Sequence, residues 1–240
     1  MKKVIDGCEP YFVAATYETQ GYNTHDGKEW HLSSAHDIDD FKKTTGCQHI
    51  IVDNNNSADH SWFNRHAPQG SWAKSHDRVK RPDLRLPGIK GADALSGALG
   101  MFRSWMNACA LLREISTEVG SFDLCYRIRF DLLFNKKVPH EDIKKIVGKD
   151  TVVCPDFCNF AHQGGCNDQF FCADLEVMQK ALSIQNRLEN YIIDDGQILH
   201  PETTFGYHLQ KCGINKTQFP FDFVIKRTHG GTHDLRGARR

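Results

Sequence analysis

No stretch of the chain approaches the ~20 consecutive apolar residues that cross a bilayer, so no transmembrane segment is expected. Neither sign of charge is in excess: Lys and Arg number 30, Asp and Glu number 30, and the formal net charge is 0. A nucleic-acid partner is therefore not expected, because counterion release from a polyanion needs surplus cationic side chains. Any phosphate site must be local. The start, Met1-Lys2-Lys3-Val4-Ile5-Asp6, lacks the apolar run of a secretory signal, and a cytoplasmic location is expected. The nine cysteines are odd in number and scattered over 240 residues, unlike the dense even sets that staple small secreted domains, so reduced thiols are the expectation. Internal repeats, low-complexity tracts and a convincing linker are also missing. With 40% hydrophobic and 25% charged residues, the chain can bury a core as one domain spanning 1–240.

Tyr11 to Tyr17 is an aromatic and β-branched run that reads as a buried strand. Ser33 or Ser34 can cap a short helix through Asp37, Ile38, Phe41 and Lys42, which Gly46 stops before the apolar run His49 to Asp53. Residues 53–91 carry no sustained period and read as a long excursion of the kind that lines or covers a site. From Leu95, the residues Leu99, Phe102, Met106, Cys109, Leu112, Ile115 and Val119 recur at three and four, predicting a long amphipathic helix ended by Gly120. Leu124, Tyr126, Ile128 and Phe130 then alternate with Cys125, Arg127, Arg129 and Asp131, predicting a strand that runs into Phe134. Further strands are expected at Thr151–Cys154 and Gln169–Cys172. A helix capped by Asp174 follows, and another starts at His200-Pro201-Glu202 and ends at Gly213. The basic tail, 226–240, reads as flexible.

The segment Phe122 to Phe134 is the most informative. Two arginines and an aspartate on one strand face are costly to bury unless they meet opposite charges, a metal or a ligand. The plain reading is that Asp131 pairs with Arg127 or Arg129 to close a strand end. Asn167-Asp168-Gln169 lies just before an apolar strand, where Asn and Asp also serve as ordinary turn and cap residues. His200-Pro201-Glu202 is also an ordinary helix start. Cys154, Cys158, His162 and Cys166 offer three sulfurs and one nitrogen to zinc, at spacings wider than the usual C-x2-C knuckle.

Taken together, these blocks resemble the small glycosyltransferase-like proteins of bacterial surface polysaccharide clusters and large viruses, which have a GT-A-type nucleotide-sugar transferase fold. Phe122 to Phe134 is similar to that family's "YDlviRxRfDllf" strand, Gly164 to Cys172 to its "ggxNDQfafg" block, and His200-Pro201-Glu202 to its "HPE" element. Tyr11 to Tyr17 resembles its "dvFihTW" strand. The likeness covers most of 11–213. Two departures stand out. Arg129 replaces the first carboxylate of a metal-binding pair, and no segment of the form "MkiavclsGqpR" precedes Tyr11.

The resemblance implies an α/β, GT-A-like (Rossmann-like) domain with a central, mainly parallel sheet flanked by helices. It implies a glycosyltransferase acting on a nucleotide-sugar donor and a glycan or glycoconjugate acceptor. Arg127, Arg129, Asn167 and Gln169 would bind the donor, and Asp168, or else Glu202, would work at the sugar or act as general base. Asp131 would hold Mn²⁺ or Mg²⁺, with His229 or His233 of the tail closing the metal site unless the tail is simply solvated. A non-catalytic sugar- or nucleotide-binding protein of the same fold is the runner-up, followed by a zinc-stapled interaction protein.

Overall fold

Most of these periodicities become elements in the computed structural model, which describes residues 5–6, 10–17, 35–53, 92–197, 199–226 and 232–233. The excursion beyond Asp53 and the tail apart from Lys226, Thr232 and His233 lie outside the described residues. In chain order the strands and α-helices are β1 (Ile5–Asp6), β2 (Val13–Tyr17), α1 (Ala35–Thr45), β3 (His49–Asp53) and α2 (Ala92–Val119). Then come β4 (Cys125–Ile128), β5 (Leu132–Phe134), β6 (Val138–Pro139), α3 (His140–Ile146), β7 (Thr151–Pro155), β8 (Phe170–Ala173) and α4 (Leu175–Leu182). The last are α5 (Pro201–Lys211), β9 (Asn215–Phe219), β10 (Phe223–Lys226) and β11 (Thr232–His233). No helix among the described residues is long and apolar enough to cross a membrane.

The chain divides into two compact units, one comprising 12–112 and 182–200, the other 1–11, 113–181 and 201–240. In the first, β2 and β3 pair in parallel from Val13 opposite His49 to Tyr17 opposite Asp53. A parallel pair needs a crossover, and the chain supplies it with α1. Gly46, at φ 72°, ends that helix as expected, and its N–H donates to the Lys42 carbonyl (2.8 Å). The α2 portion in this unit buries Leu99, Phe102, Trp105 and Cys109, with Phe102 and Trp105 edge to face at 5.4 Å.

The second unit holds the charged segment 122–134 and is built on a four-stranded sheet in the order β4-β8-β7-β9. Its core joins Ile5, Val138, Ile143, Val153, Phe157, Phe170, Phe221 and Phe223, with Tyr126 and Ile128 packed against them. Phe170 is central, its ring 4.6 Å from Phe221, 5.3 Å from Phe134 and 6.1 Å from Tyr126. Helix α3 carries Glu141 and Asp142 in its first turn and Lys144 and Lys145 in its last, each matching the helix dipole. Tyr126 Oη lies 2.9 Å from His140 Nδ1, which ties β4 to the start of that helix. Asp174 caps α4 through the Val177 N–H (2.8 Å), as its sequence position suggests.

Two expectations are corrected. The central sheet is mixed rather than mainly parallel: β4–β8 and β7–β8 are antiparallel, and only β7–β9 is parallel. The connection from β7 to β8 contains a single 3₁₀ turn, Ala161–Gln163, instead of a crossover helix, so the chain reverses. The single strand expected through Phe134 is instead two strands. β4 pairs with β8, the chain bends at Arg129 to Asp131, and β5 pairs with β10 in another sheet. The alternation therefore fails at Phe130, which is 53% exposed. The period-two pattern marks a strand but does not choose its partner.

Replacing Phe170 with Ala should lower unfolding free energy by roughly 3–5 kcal/mol in urea denaturation, the usual cost of an emptied aromatic site. Leu133→Ala, at a half-exposed position, should cost less than about 0.5 kcal/mol. Equal effects at the two positions would contradict this placement of the core.

Candidate functional site

The bend after β4 places Arg127, Arg129 and Asp131 beside the loop that leads into β8. Arg127, on β4, donates from its guanidinium to the backbone carbonyl of Asp168. The backbone N–H of Arg129 donates to the Gln169 carbonyl (3.1 Å), extending the β4–β8 pairing by one step. The side chain of Arg129 grips Asp131 with two parallel hydrogen bonds, Nε to Oδ1 at 2.9 Å and Nη2 to Oδ2 at 2.6 Å. Such a bidentate pair is strong and directional. Of the two pairings open to Asp131, the structure contains the one with Arg129.

The loop Gly164 to Gln169 is fixed by backbone contacts that only small residues permit. A methyl group at Gly206, in α5, would sit 2.7 Å from the Gly165 Cα and 2.8 Å from its carbonyl carbon. A methyl at Gly165 would in turn overlap the Asn159 carbonyl oxygen. This close approach lets the Cys166 N–H donate to the Glu202 carbonyl (2.9 Å) in the first turn of α5. Lys216, on β9, straps the loop from the other side by donating to the Gly164 and Gly165 carbonyls at 2.5 and 3.2 Å. The preceding segment holds two non-glycine residues in left-handed geometry, Cys158 (φ 47°) and Phe160 (φ 46°). Strain of this kind persists only where surrounding contacts enforce it.

Asn167 supplies those contacts. It is fully buried, and its Nδ2 donates to the Phe157 carbonyl (3.0 Å) while its Oδ1 accepts the N–H groups of Gln169 (2.9 Å) and Phe170 (3.1 Å). Its amide thus shapes the loop on which Asp168 and Gln169 stand. Both of those residues are buried, at 5% and 6% exposure, and both keep an acceptor atom, Asp168 Oδ1 and Gln169 Oε1, buried without a hydrogen-bond partner. A buried acceptor left unsatisfied costs about 1–3 kcal/mol, so two side by side in sequence set this loop apart as a costly part of the core.

The charges at this corner work against one another. Burial pushes the Asp168 carboxyl above its ordinary range, while Arg127 and Arg129 pull it down. Burial likewise lowers Arg127, to about 9, against the stabilising charge of Asp168. The guanidinium remains cationic at neutral pH. The site therefore offers two positive groups and one carboxyl poised toward accepting a proton.

The structure brings together Arg127, Arg129, Asp131, Asn167, Asp168 and Gln169, and joins Glu202 to the loop through its backbone. His229 lies outside the described residues, as does the side chain of His233. The donor set at Asp131 does not fit a hard divalent cation as it stands, because both oxygens are held by Arg129 and such cations require several oxygen ligands. Among the described residues no three His, Cys, Asp or Glu side chains stand together as metal ligands, Cys154, Cys158, His162 and Cys166 included. Sequence reasoning missed Lys216, which sits in a polar strand without a distinguishing pattern. It also missed Gly206, although a glycine inside a helical pattern is a signal of close backbone approach.

No protein-family model, curated protein or solved structure matches the chain.

Asn167→Ala should leave the buried N–H groups of Gln169 and Phe170 without their acceptor and destabilise the protein by roughly 1–3 kcal/mol. Urea denaturation measures it. An unchanged midpoint would show that the loop does not depend on this amide.

Proposed function

We propose that the chain is a glycosyltransferase that moves a sugar from a nucleotide-diphosphate donor to a glycan or glycoconjugate acceptor, with guanidinium groups neutralising the diphosphate. The observation that carries this reading is the buried Asp168 carboxyl, its Oδ1 without a partner, flanked by the charges of Arg127 and Arg129. The resemblance of the 122–134 and 164–172 blocks to GT-A-type transferases supports it.

In this reading the acceptor hydroxyl donates to Asp168 Oδ1 and its oxygen attacks the anomeric carbon of the donor. The bond from that carbon to the diphosphate oxygen breaks, and the diphosphate leaves with the electron pair. The proton passes to Asp168, whose raised affinity for it comes from burial. Arg127 and Arg129 face the charge that grows on the leaving group, where fixed cations contribute most. For Arg129 this means exchanging Asp131 for phosphate, since one guanidinium fork fits either anion. Gln169 Oε1 accepts from a sugar hydroxyl, and Asn167 holds the loop in register.

The test is calorimetric titration of nucleoside diphosphates, followed by donor hydrolysis and transfer assays. Arg129→Ala should weaken diphosphate binding by roughly 1.5–3 kcal/mol, the range for a charged hydrogen bond. Asp168→Asn should bind the donor normally and lose turnover by a factor on the order of 10²–10⁴. Because Asp168 acts deprotonated and its affinity for the proton is raised, kcat/KM should fall as pH drops, with a midpoint above the ordinary carboxylate range. Chelating divalent cations should leave binding unchanged. Binding without turnover by any donor would replace the transferase with a non-catalytic binding protein, and an absolute requirement for Mn²⁺ would return the diphosphate to a metal at Asp131.

A further inference from the structure

The turn between β4 and β5 exposes an aromatic ring that the transferase reading leaves unused. Turns face water and favour Gly, Pro, Asn, Asp and Ser, yet Phe130 occupies this one and is 53% exposed. The large apolar side chains exposed among the described residues are Val119, Phe130, Leu133 and Ile146, and of these Phe130 is the one aromatic. A single exposed apolar residue is ordinary in itself. The surroundings of this one are not. The Leu132 N–H on the Arg129 carbonyl (3.4 Å) closes the turn, and the two hydrogen bonds from Arg129 to Asp131 clamp the residues on either side of Phe130. The backbone that carries the ring is thus held in place, so little ordering remains to be done when a ligand packs on it.

The pairing of β4 with β8 fixes what accompanies the ring. Ile128 stands opposite Phe170, and the Arg129 N–H donates to the Gln169 carbonyl. One further step in the same antiparallel register reaches Phe130 on one segment and Asp168 on the other. Arg127 holds the Asp168 side of that step by donating to its carbonyl. An exposed phenyl ring thus shares one end of the β4–β8 ladder with two buried acceptors that lack a partner, Asp168 Oδ1 and Gln169 Oε1. A pyranose answers to both halves of this arrangement. Its axial C–H groups, made slightly positive by neighbouring oxygens, match the negative face of a phenyl ring, and its hydroxyls supply donors. We propose that Phe130 is the platform on which the acceptor sugar packs the C–H face of its ring, with hydroxyls turned to Asp168 and Gln169. The inference rests on the transferase reading and deepens it, since it assigns the acceptor a pyranose with a continuous C–H face and makes Phe130 a determinant of acceptor specificity.

The experiment is saturation-transfer NMR on the full-length protein with methyl β-glucoside, methyl β-galactoside and methyl β-N-acetylglucosaminide, which detects weak binding without requiring turnover. At least one glycoside should receive saturation at its ring C–H protons. Phe130→Ala should weaken that glycoside's affinity about tenfold, the scale of a lost aromatic stack and the area buried with it, whereas Phe130→Trp should retain it. Affinities for UDP and GDP, measured by calorimetry, should be the same in the parent and both variants. Because the ring is half-exposed, Phe130→Ala should stay folded, which its urea midpoint checks. Saturation of none of the glycosides by the parent, or an affinity unchanged in Phe130→Ala, would overturn the platform. Weaker UDP or GDP binding in Phe130→Ala would overturn it as well, by assigning the ring to the nucleotide base. Glycoside binding through Phe130 in a protein that turns over no donor would sink the transferase reading and leave the platform standing. Donor turnover with glycoside affinity indifferent to Phe130 would do the reverse.

Discussion

The backbone of Gly164 and Gly165 lies against α5 at a separation that leaves no room for a Cβ at position 206. From that contact the rest of the candidate site follows. It brings the Cys166 N–H onto the first turn of α5 and leaves the two glycine carbonyls for Lys216. It sets Asn167 where its amide can satisfy three backbone groups, and so aims Asp168 and Gln169 at the end of β4. Close-packed backbones transmit displacement with little loss, because there is no flexible side chain between them to absorb it. A methyl group in α5 would clash with the loop backbone three residues before Asp168 and displace it.

The same corner concentrates what a stable protein normally avoids. It has a buried carboxyl, a desolvated guanidinium, two acceptors without donors and two residues in left-handed geometry. Each is unfavourable in the free protein, and the aromatic cluster around Phe170 lies behind the loop to offset them. Local departures of this kind are expected where function, rather than folding, sets the residue. The ion pair between Arg129 and Asp131 fits the same account. It keeps a cation half-buried and neutralised by a bidentate neighbour.

The bend between β4 and β5 does two things at once. It hands the chain from one sheet to another, since β4 joins β8 and β5 joins β10. It also leaves Phe130 and Leu133 half-exposed beside the charged residues. An unbroken strand would have kept Arg127, Arg129 and Asp131 in one flat row. With the break, the Arg129–Asp131 pair forms across a turn, closed by the Leu132 N–H on the Arg129 carbonyl at 3.4 Å.

Much of the secondary structure was legible because it depends on neighbours within a few residues. The three-and-four spacing of Leu99, Phe102 and Cys109 produced α2, and Gly46, Gly120 and Gly213 end helices in left-handed geometry, where a residue without a Cβ is least strained. Pro201 starts α5 and Asp174 caps α4 for equally local reasons. The sequence also identified Arg127, Arg129 and Asp131 as the costly residues, since charge next to apolar strands is visible in any window, and it singled out Asp168 as a candidate site residue. Strand partnership was not legible, because alternation marks two faces without saying which chain lies alongside. The polar strand Asn215–Phe219 shows this best: nothing in it signals a strand, and it exists because β7 offers it a parallel edge. Only the tertiary structure decided that Arg129 holds Asp131 and that Asn167 is spent on backbone. Each of these depends on segments distant in the chain or on a bend between them, and composition and spacing carry no information about such distances.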